Sequence, residues 1–204
     1  MVELVRRRGI VDERVLDAIG RVPRELFVPA ELERRAYDDR ALPIGLDQTI
    51  SQPAIVAHMC ALLEVGPGAR VLDVGLGSGY AAAVLTSMGC DVVGIELLPE
   101  LAARAEEALA KAGLEVEIRV GDGRLGVPDR APFDAISVAA ATASAPAALV
   151  AQLIEGGRLV LPVGGAAGQR LVRLTRTAAT VHEEAFEPCL FVPLVEPADG
   201  TLGR

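Results

Sequence analysis

The feature that most constrains the fold of this 204-residue chain is a hydrophobic run that breaks into three closely spaced glycines. Residues 71–80 have the sequence Val-Leu-Asp-Val-Gly-Leu-Gly-Ser-Gly-Tyr. Such a run predicts a buried strand, a sharp turn and the amino end of a helix, whose N–H groups are unpaired and available to a ligand. The third glycine comes one residue earlier than in the GxGxxG fingerprint of dinucleotide sites. The spacing alone therefore leaves open both a ligand-binding loop and a simple strand-to-helix connection.

Strand and helix patterns alternate after residue 66, and this alternation predicts a doubly wound, mostly parallel α/β sheet. The predicted strands cover residues 70–74, 91–95, 115–120, 133–139 and 158–163, and the helices between them cover residues 78–88, 99–112 and 146–153. Residues 170–175 and 181–186 have no helix between them, which predicts a C-terminal antiparallel hairpin. Before the alternation, helices are predicted at residues 11–22 and 53–63, separated by a long irregular segment at residues 26–50.

Composition excludes several classes of protein. The formal net charge of −8 and the pI near 4.9 argue against a broad phosphate-binding face, so we expect no nucleic-acid partner. Cys60, Cys90 and Cys189 are far apart and lack CxxC spacing, which indicates reduced thiols in a cytoplasmic protein. The two histidines are too scattered for a metal site. The uncharged stretch 136–154 contains several polar residues, so we expect no membrane segment.

Two acids follow predicted strands at the edge of the sheet where parallel strands place their ligands. Glu96 ends the second strand about 20 residues after the glycines, where an acid accepts hydrogen bonds from ribose hydroxyls. Asp122 ends the next strand and is expected beside an adenine ring. Either acid alone also fits a solvated strand end. Together they favour S-adenosylmethionine over NAD, with the cofactor held by Gly75, Gly77, Ser78, Gly79, Glu96, Asp122 and Gly123.

Several segments together resemble the protein-L-isoaspartate O-methyltransferase family. The most specific are residues 48–53 (Gln-Thr-Ile-Ser-Gln-Pro) and residues 191–194 (Phe-Val-Pro-Leu), because many methyltransferases share the glycine loop alone. The resemblance extends over residues 11–195 and is also carried by residues 21–24, 37–39, 42–45, 73–80 and 121–123.

The resemblance implies a seven-stranded, Rossmann-like methyltransferase fold that transfers a methyl group from S-adenosylmethionine to the α-carboxylate of an L-isoaspartyl residue. S-adenosylhomocysteine is then the product, and the ester closes to a succinimide whose hydrolysis restores some normal aspartate. We expect one domain over residues 1–204, with residues 1–65 on the substrate side and residues 66–204 forming the cofactor-binding core. We also expect a monomer that acts on isoaspartyl proteins or peptides.

The resemblance also assigns residues to the acceptor. Ser51 is expected to orient the substrate carboxylate by a hydrogen bond, although a serine at this position also fits a simple helix N-cap before Pro53. A carboxylate is already ionised at neutral pH, so the reaction needs placement rather than a strong base. Further acceptor contacts are expected from Thr49, Ile50 and Gln52, and from backbone groups of Val192, Pro193 and Leu194, including the N–H groups of Val192 and Leu194.

Four departures from the family pattern bear on the substrate. They are Leu76 between the first two glycines, Ala81, the loop at residues 139–146, and Leu190 before the Phe-Val-Pro-Leu segment. Leu76 is expected to add bulk beside the cofactor. Two alternatives stay open at this point: an enzyme that methylates aspartate or isoaspartate in one dedicated peptide of a natural-product pathway, and a module that binds a nucleotide without catalysis.

Overall fold

The secondary structure comes from a computed structural model that describes residues 1–165 and 167–196. The described residues form six α-helices: Val2–Arg7 (α1), Glu13–Arg21 (α2), Pro53–Leu63 (α3), Tyr80–Ser87 (α4), Pro99–Lys111 (α5) and Ala147–Ala151 (α6). They also form nine strands: Leu42–Gly45 (β1), Gln48–Ile50 (β2), Arg70–Val74 (β3), Asp91–Glu96 (β4), Glu117–Val120 (β5), Phe133–Val138 (β6), Leu153–Gly165 (β7), Gly168–Arg176 (β8) and Val181–Cys189 (β9).

Seven of these strands form one sheet in the order β5-β4-β3-β6-β7-β8-β9. The pairs from β5 to β7 are parallel, and β7, β8 and β9 pair in antiparallel fashion. This arrangement confirms the predicted mostly parallel, seven-stranded sheet with a C-terminal antiparallel hairpin. Strand order reverses between β3 and β6, and ligands of open α/β sheets bind at such a reversal, outside the carboxyl ends of the strands.

The N-terminal helices pack against the sheet side that carries α4. Val15 and Ile19 of α2 are buried in the same cluster as Leu63 of α3 and Leu85 of α4. Apolar residues on one face of α2 repeat at helical spacing, so this burial explains why a short, otherwise charged segment is helical. The division into residues 1–65 and 66–204 stays a prediction, and residue 166 and residues 197–204 of that range lie outside the described residues.

The main difference from the sequence prediction is a β-hairpin, β1–β2, inside the segment expected to be irregular. Its turn residues Leu46 and Asp47 have φ of 53° and 56°, the left-handed region that usually requires glycine or asparagine. A sequence without Asn-Gly at the turn gives no hairpin signal. β7 also begins at Leu153, five residues before the predicted start.

No helix within residues 1–165 and 167–196 has both the length and the apolar character needed to cross a membrane.

Candidate cofactor and substrate site

A cavity of about 330 Å³ opens at the carboxyl ends of β3 and β4, beside the point between β3 and β6 where strand order reverses. Its size is in the range of small-molecule sites. Most of its lining comes from four segments: the glycine loop after β3, the end of β4 with the following turn, the β1–β2 hairpin with the residues that lead into α3, and the tail segment, which we define as residues 192–195. Gly123 and residues 139–140, after β6, also line it. The cavity therefore joins the predicted cofactor loop to the predicted acceptor residues.

The three glycines of the loop have different structural roles. Gly75 and Gly77 line the cavity and have φ of 74° and 55°. Gly79 has φ of 84° but does not line the cavity, and a Cβ there would lie 3.2 Å from the Cβ of Ala105 in α5. Gly79 thus permits close packing of two helices, and its predicted contact with a cofactor has no counterpart in the cavity wall.

Backbone amides of the loop are largely bonded within the protein. The N–H groups of Gly75 and Leu76 donate to the Ile95 carbonyl at 2.9 and 3.2 Å, and the Gly77 N–H donates to Glu96 Oε2 at 2.8 Å. These three amides precede α4, which begins at Tyr80, so the predicted unpaired N–H groups at the amino end of that helix stay a prediction. The three bonded amides are not available to a phosphate group.

Glu96 lies in the cavity wall at the end of β4, as predicted. It is buried, and its second oxygen, Oε1, accepts a hydrogen bond from the Leu98 N–H at 3.0 Å. Each carboxylate oxygen has a further lone pair, which leaves capacity for ribose hydroxyls. The two backbone bonds also fix the side chain. The ribose contact stays a prediction, and the structure places Glu96 where it can be made.

Asp122 has a different environment from the one expected. Its carboxylate does not line the cavity, accepts a hydrogen bond from the Arg124 N–H at 3.0 Å, and forms an ion pair with the Arg124 side chain at 2.6 Å. These bonds lower the pKa of Asp122. The structure uses Asp122 as the N-cap of a short 3-10 helix, and its adenine contact stays a prediction. The adjacent Gly123 does line the cavity, and a Cβ there would lie 2.6 Å from Val74 Cγ1.

The bulk of Leu76 is partly absorbed by the sheet. Its side chain is buried and occupies the space above Gly94 in β4, where a Cβ would lie 2.7 Å from Leu76 Cδ1. Leu76 also lines the cavity. The glycine at position 94 therefore accommodates much of a side chain that was expected to crowd the cofactor.

On the acceptor side, Thr49, Ile50 and Ser51 line the cavity, whereas Gln52 does not. Gln52 is instead the N-cap residue of α3, and its side chain makes no capping hydrogen bond. The alternative that Ser51 is only a helix N-cap is therefore wrong. Ser51 precedes the cap by one residue and faces the cavity, which leaves its proposed contact with the acceptor as the remaining prediction.

The tail segment forms the wall opposite these residues, with Val192, Pro193 and Leu194 in the lining. The Ala141 N–H donates to the Val192 carbonyl and the Leu194 N–H donates to the Ala141 carbonyl, both at 2.7 Å. The Leu194 N–H was expected to bind a substrate peptide, and this expectation is wrong because the group is already paired. The tail instead contributes a fixed apolar surface.

The charge of the lining is negative. Among the described residues that line the cavity none is lysine or arginine, whereas Glu96 and Asp47 are acids. The sequence does not single out Leu46, the neighbour of Asp47 in the lining, because nothing signals the hairpin turn that carries it. Apolar residues after Glu96, namely Leu97, Leu98 and Leu101, also belong to the wall. The leucines that follow the strand-end acid are the sequence feature that could have indicated them.

In the described part of the chain no three His, Cys, Asp or Glu side chains are arranged to hold a metal ion.

Asp73, the acid inside the glycine motif, is 1% exposed, and neither of its carboxylate oxygens has a hydrogen-bond partner among the described residues. Burial, with a further contribution from the negative charge of Glu96, raises the pKa of Asp73 to about 8. The side chain is therefore mostly protonated at neutral pH, because a buried carboxylate without a partner is far less stable than the neutral acid.

We expect this group to make the protein less stable as pH rises from about 4 to about 8. In that window the folded protein keeps a proton that the unfolded chain has lost, so the free energy of unfolding falls by at most about 1.4 kcal/mol per pH unit. Asp73→Asn removes the titration and should flatten the decline, measured by urea unfolding at pH 5 and pH 8. Asp91→Asn, at an exposed position on β4, is the matched control. Equal slopes in wild type and Asp73→Asn would contradict the expectation.

Comparison with known proteins gives one consistent result. The sequence profile of the protein-L-isoaspartate(D-aspartate) O-methyltransferase family matches residues 1–199. A protein-L-isoaspartate O-methyltransferase from Methylorubrum populi is 56% identical over 189 residues, which is 92% of this chain and 89% of the relative. One from Methanoculleus marisnigri is 52% identical over 197 residues, which is 96% of this chain and 90% of the relative.

Solved structures agree with the sequence relatives. A protein-L-isoaspartate O-methyltransferase superimposes with a TM-score of 0.85 at 27% identity, over 99% of this chain; this chain spans 66% of that longer protein. A Plasmodium falciparum protein assigned as a β-aspartate methyltransferase, in complex with S-adenosyl-L-homocysteine, gives a TM-score of 0.81 at 25% identity, over 95% and 96% of the two chains. The resemblance inferred from the motifs is thereby confirmed, and the chain belongs to the protein-L-isoaspartate O-methyltransferase family.

Proposed function

We propose that this protein uses S-adenosylmethionine to methylate the α-carboxylate of L-isoaspartyl residues in proteins and peptides, which initiates their repair. The two relatives described above, which are 56% and 52% identical to this chain, are both named for this activity. The observation that carries the proposal is the cavity itself, which joins the glycine loop and Glu96 on one side to Ser51 on the other. A methyl donor and an acceptor therefore fit into one continuous space.

The cavity suits a cationic cofactor better than a nucleotide with phosphates. Its described lining contains the carboxylate of Glu96 and no lysine or arginine. A sulfonium or ammonium group is favoured in such surroundings, whereas a pyrophosphate needs cations or unpaired amides. The bonded amides of Gly75, Leu76 and Gly77 point in the same direction. These features disfavour a nucleotide-binding module without catalysis.

When bound, S-adenosylmethionine supplies a methyl group on a sulfonium; the carboxylate oxygen forms the new C–O bond as the C–S bond breaks, and S-adenosylhomocysteine leaves. The protein contributes placement. Glu96 holds the ribose hydroxyls, and Gly75, Gly77 and Gly123, which line the cavity without a side chain, let the cofactor lie close to the backbone. Held donor and acceptor atoms react as one unit, so proximity and orientation account for much of the rate.

On the acceptor side, the Ser51 hydroxyl donates a hydrogen bond to the substrate carboxylate and fixes its direction of attack. Thr49 and Ile50 contact the peptide beside this carboxylate, and Gln52 contacts it from the N-cap position of α3. Val192, Pro193 and Leu194 give the opposite apolar surface. Repair requires binding of damaged sites in many sequences, so recognition rests on the misplaced carboxylate and the peptide backbone rather than on particular flanking side chains.

The decisive experiment is transfer of a labelled methyl group from S-adenosylmethionine to paired peptides that differ only in isoaspartate or aspartate. We expect labelling of the isoaspartyl peptides in several unrelated sequences and none of the aspartyl peptides. Equal labelling of both, or labelling of a single sequence, would replace repair with a dedicated-peptide methyltransferase. No labelling, together with no binding of S-adenosylmethionine or S-adenosylhomocysteine in calorimetry, would overturn the proposal.

A monomeric state, a cytoplasmic location, the absence of nucleic-acid and membrane partners, and one domain with a substrate-side segment at residues 1–65 remain predictions from the sequence. Gel filtration with light scattering tests the first of them directly.

A further inference from the structure

Arg24 has an unusual environment for an arginine. It follows Pro23 in a short 3-10 helix, Arg24–Phe27, and is 0% exposed. Its Nε donates to the Ala36 carbonyl at 2.7 Å, and its Nη2 donates to the Ser51 carbonyl at 2.6 Å. The guanidinium carbon lies 4.5 Å from the centre of the Tyr80 ring. Nη1 has no hydrogen-bond partner among the described residues.

The charge of this buried group is not balanced by an acid. In the described part of the chain no carboxylate lies within ion-pair distance of Arg24, and its two bonded partners are backbone carbonyl groups. Arginine stays protonated in proteins, and burying an unpaired charge is costly. Two hydrogen bonds to carbonyl groups do not require a charged donor. Either the positive charge of Arg24 or the fixed planar geometry of its guanidinium therefore has a further role.

Three segments of the chain meet at this guanidinium, and two of them line the cavity. Ala36 follows the short 3-10 helix Ala30–Arg35, Ser51 is the proposed acceptor residue, and Tyr80 is the first residue of α4, directly after the glycine loop. The lining of the cavity has no cation, yet the proposed acceptor is an anion. Arg24 lies directly behind the peptide group of Ser51 and is the described cation that bonds to an acceptor residue.

We propose that Arg24 is a positioning residue of the acceptor site: it fixes the Ser51 peptide group so that the hydroxyl faces the substrate carboxylate, and it supplies the positive potential that this carboxylate requires. The proposal rests on the proposed function, because it takes an isoaspartyl carboxylate as the acceptor. Planar arginine forms bonds in two fixed directions, and lysine cannot reproduce that fork. Positioning and charge can therefore be separated by substitution.

Arg24→Lys keeps the charge and loses the fork, and Arg24→Gln loses both. Arg70→Lys is the matched control. Arg70 also donates to two backbone carbonyls, those of Pro132 (2.9 Å) and Arg130, and its guanidinium carbon lies 5.8 Å from the Phe133 ring centre. Arg70 is the first residue of β3, so it lies at the amino ends of the strands, whereas the cavity lies at their carboxyl ends.

We expect Arg24→Lys to lower kcat for an isoaspartyl peptide about tenfold, the effect of one lost hydrogen bond to a charged group, with the affinity for S-adenosylhomocysteine changed less than about twofold. Hydrogen exchange of the amides at residues 49–52 should rise, while that of β3 stays unchanged. Arg70→Lys should leave kcat and exchange at residues 49–52 as in wild type. Hydrogen exchange needs no activity, so this readout is independent of the proposed function.

The charge is tested by binding in the presence of S-adenosylhomocysteine. One peptide carries the isoaspartyl α-carboxylate and the other the corresponding α-carboxamide. Wild type should prefer the carboxylate, Arg24→Lys should keep that preference, and Arg24→Gln should reduce it about tenfold or more. A structural role alone would weaken both peptides equally. Unchanged kcat and exchange in Arg24→Lys, or equal weakening of both peptides in Arg24→Gln, would overturn the proposal; wild type that ignores isoaspartyl peptides would instead overturn the proposed function.

Discussion

Ser51→Ala should lower kcat for isoaspartyl peptides by about 10- to 100-fold and leave the affinity for S-adenosylmethionine within about twofold of wild type. A hydrogen bond to a charged group contributes about 1.5–3 kcal/mol, and about 1.4 kcal/mol corresponds to a tenfold rate change. The proposed cofactor residues, Gly75, Gly77 and Glu96, belong to other segments of the cavity wall, so the loss should fall on the acceptor. Initial rates with labelled cofactor and calorimetry of cofactor binding measure the two effects.

The same variant also separates the two roles that the sequence left open for Ser51. Loss of a serine N-cap costs about 1 kcal/mol of stability, but the N-cap of α3 is Gln52. Ser51→Ala should therefore change the free energy of unfolding by less than about 0.5 kcal/mol. Ser51→Thr keeps a hydroxyl and should retain much of the rate, and Ser87→Ala at the end of α4 controls for loss of a remote hydroxyl. A wild-type kcat in Ser51→Ala would exclude the proposed contact.

The fold could be predicted because its signals are local and repeated. β3 and β6 are buried on both faces and appear in the sequence as short apolar runs. The helices between the strands begin at marked positions, such as Pro99 in the first turn of α5. The β1–β2 hairpin could not be predicted, because its left-handed turn residues Leu46 and Asp47 are held by the surrounding structure rather than by their own preference.

The site was predictable where chemistry requires one residue type in one place. Glu96 and the cavity glycines occupy the expected edge because parallel strands align their carboxyl ends. Contacts that depend on distant partners were not predictable. The Leu194 N–H is bound by Ala141, and Arg24 reaches Ser51 across 27 positions of sequence. Each of these pairings depends on how separate elements pack together, which the spacing of residues along the chain does not contain.

Truncation of the chain after Leu190 should abolish methylation of isoaspartyl peptides, with a loss of at least about 100-fold, because misplacement of reacting groups by about 1 Å already costs that much. The truncation removes Val192, Pro193 and Leu194 from the cavity wall. It also removes both hydrogen bonds to Ala141 and the ion pair between Glu196 and Arg124. The acceptor peptide then has one wall instead of two.

Binding of S-adenosylhomocysteine should survive this truncation with a reduced affinity, since Gly75, Gly77 and Glu96 are held by bonds that the tail does not make. Some reduction is expected because Leu194 also faces Gly123: a Cβ on Gly123 would lie 3.7 Å from Leu194 Cδ1. Truncation after Glu196 is the matched control, because it keeps every tail contact named above, and it should retain the wild-type rate. If the shorter chain methylated peptides normally, the tail would not be a substrate wall. If it bound no cofactor at all, the tail would serve the cofactor first, and the acceptor would have to be held by Thr49, Ile50 and Ser51 alone.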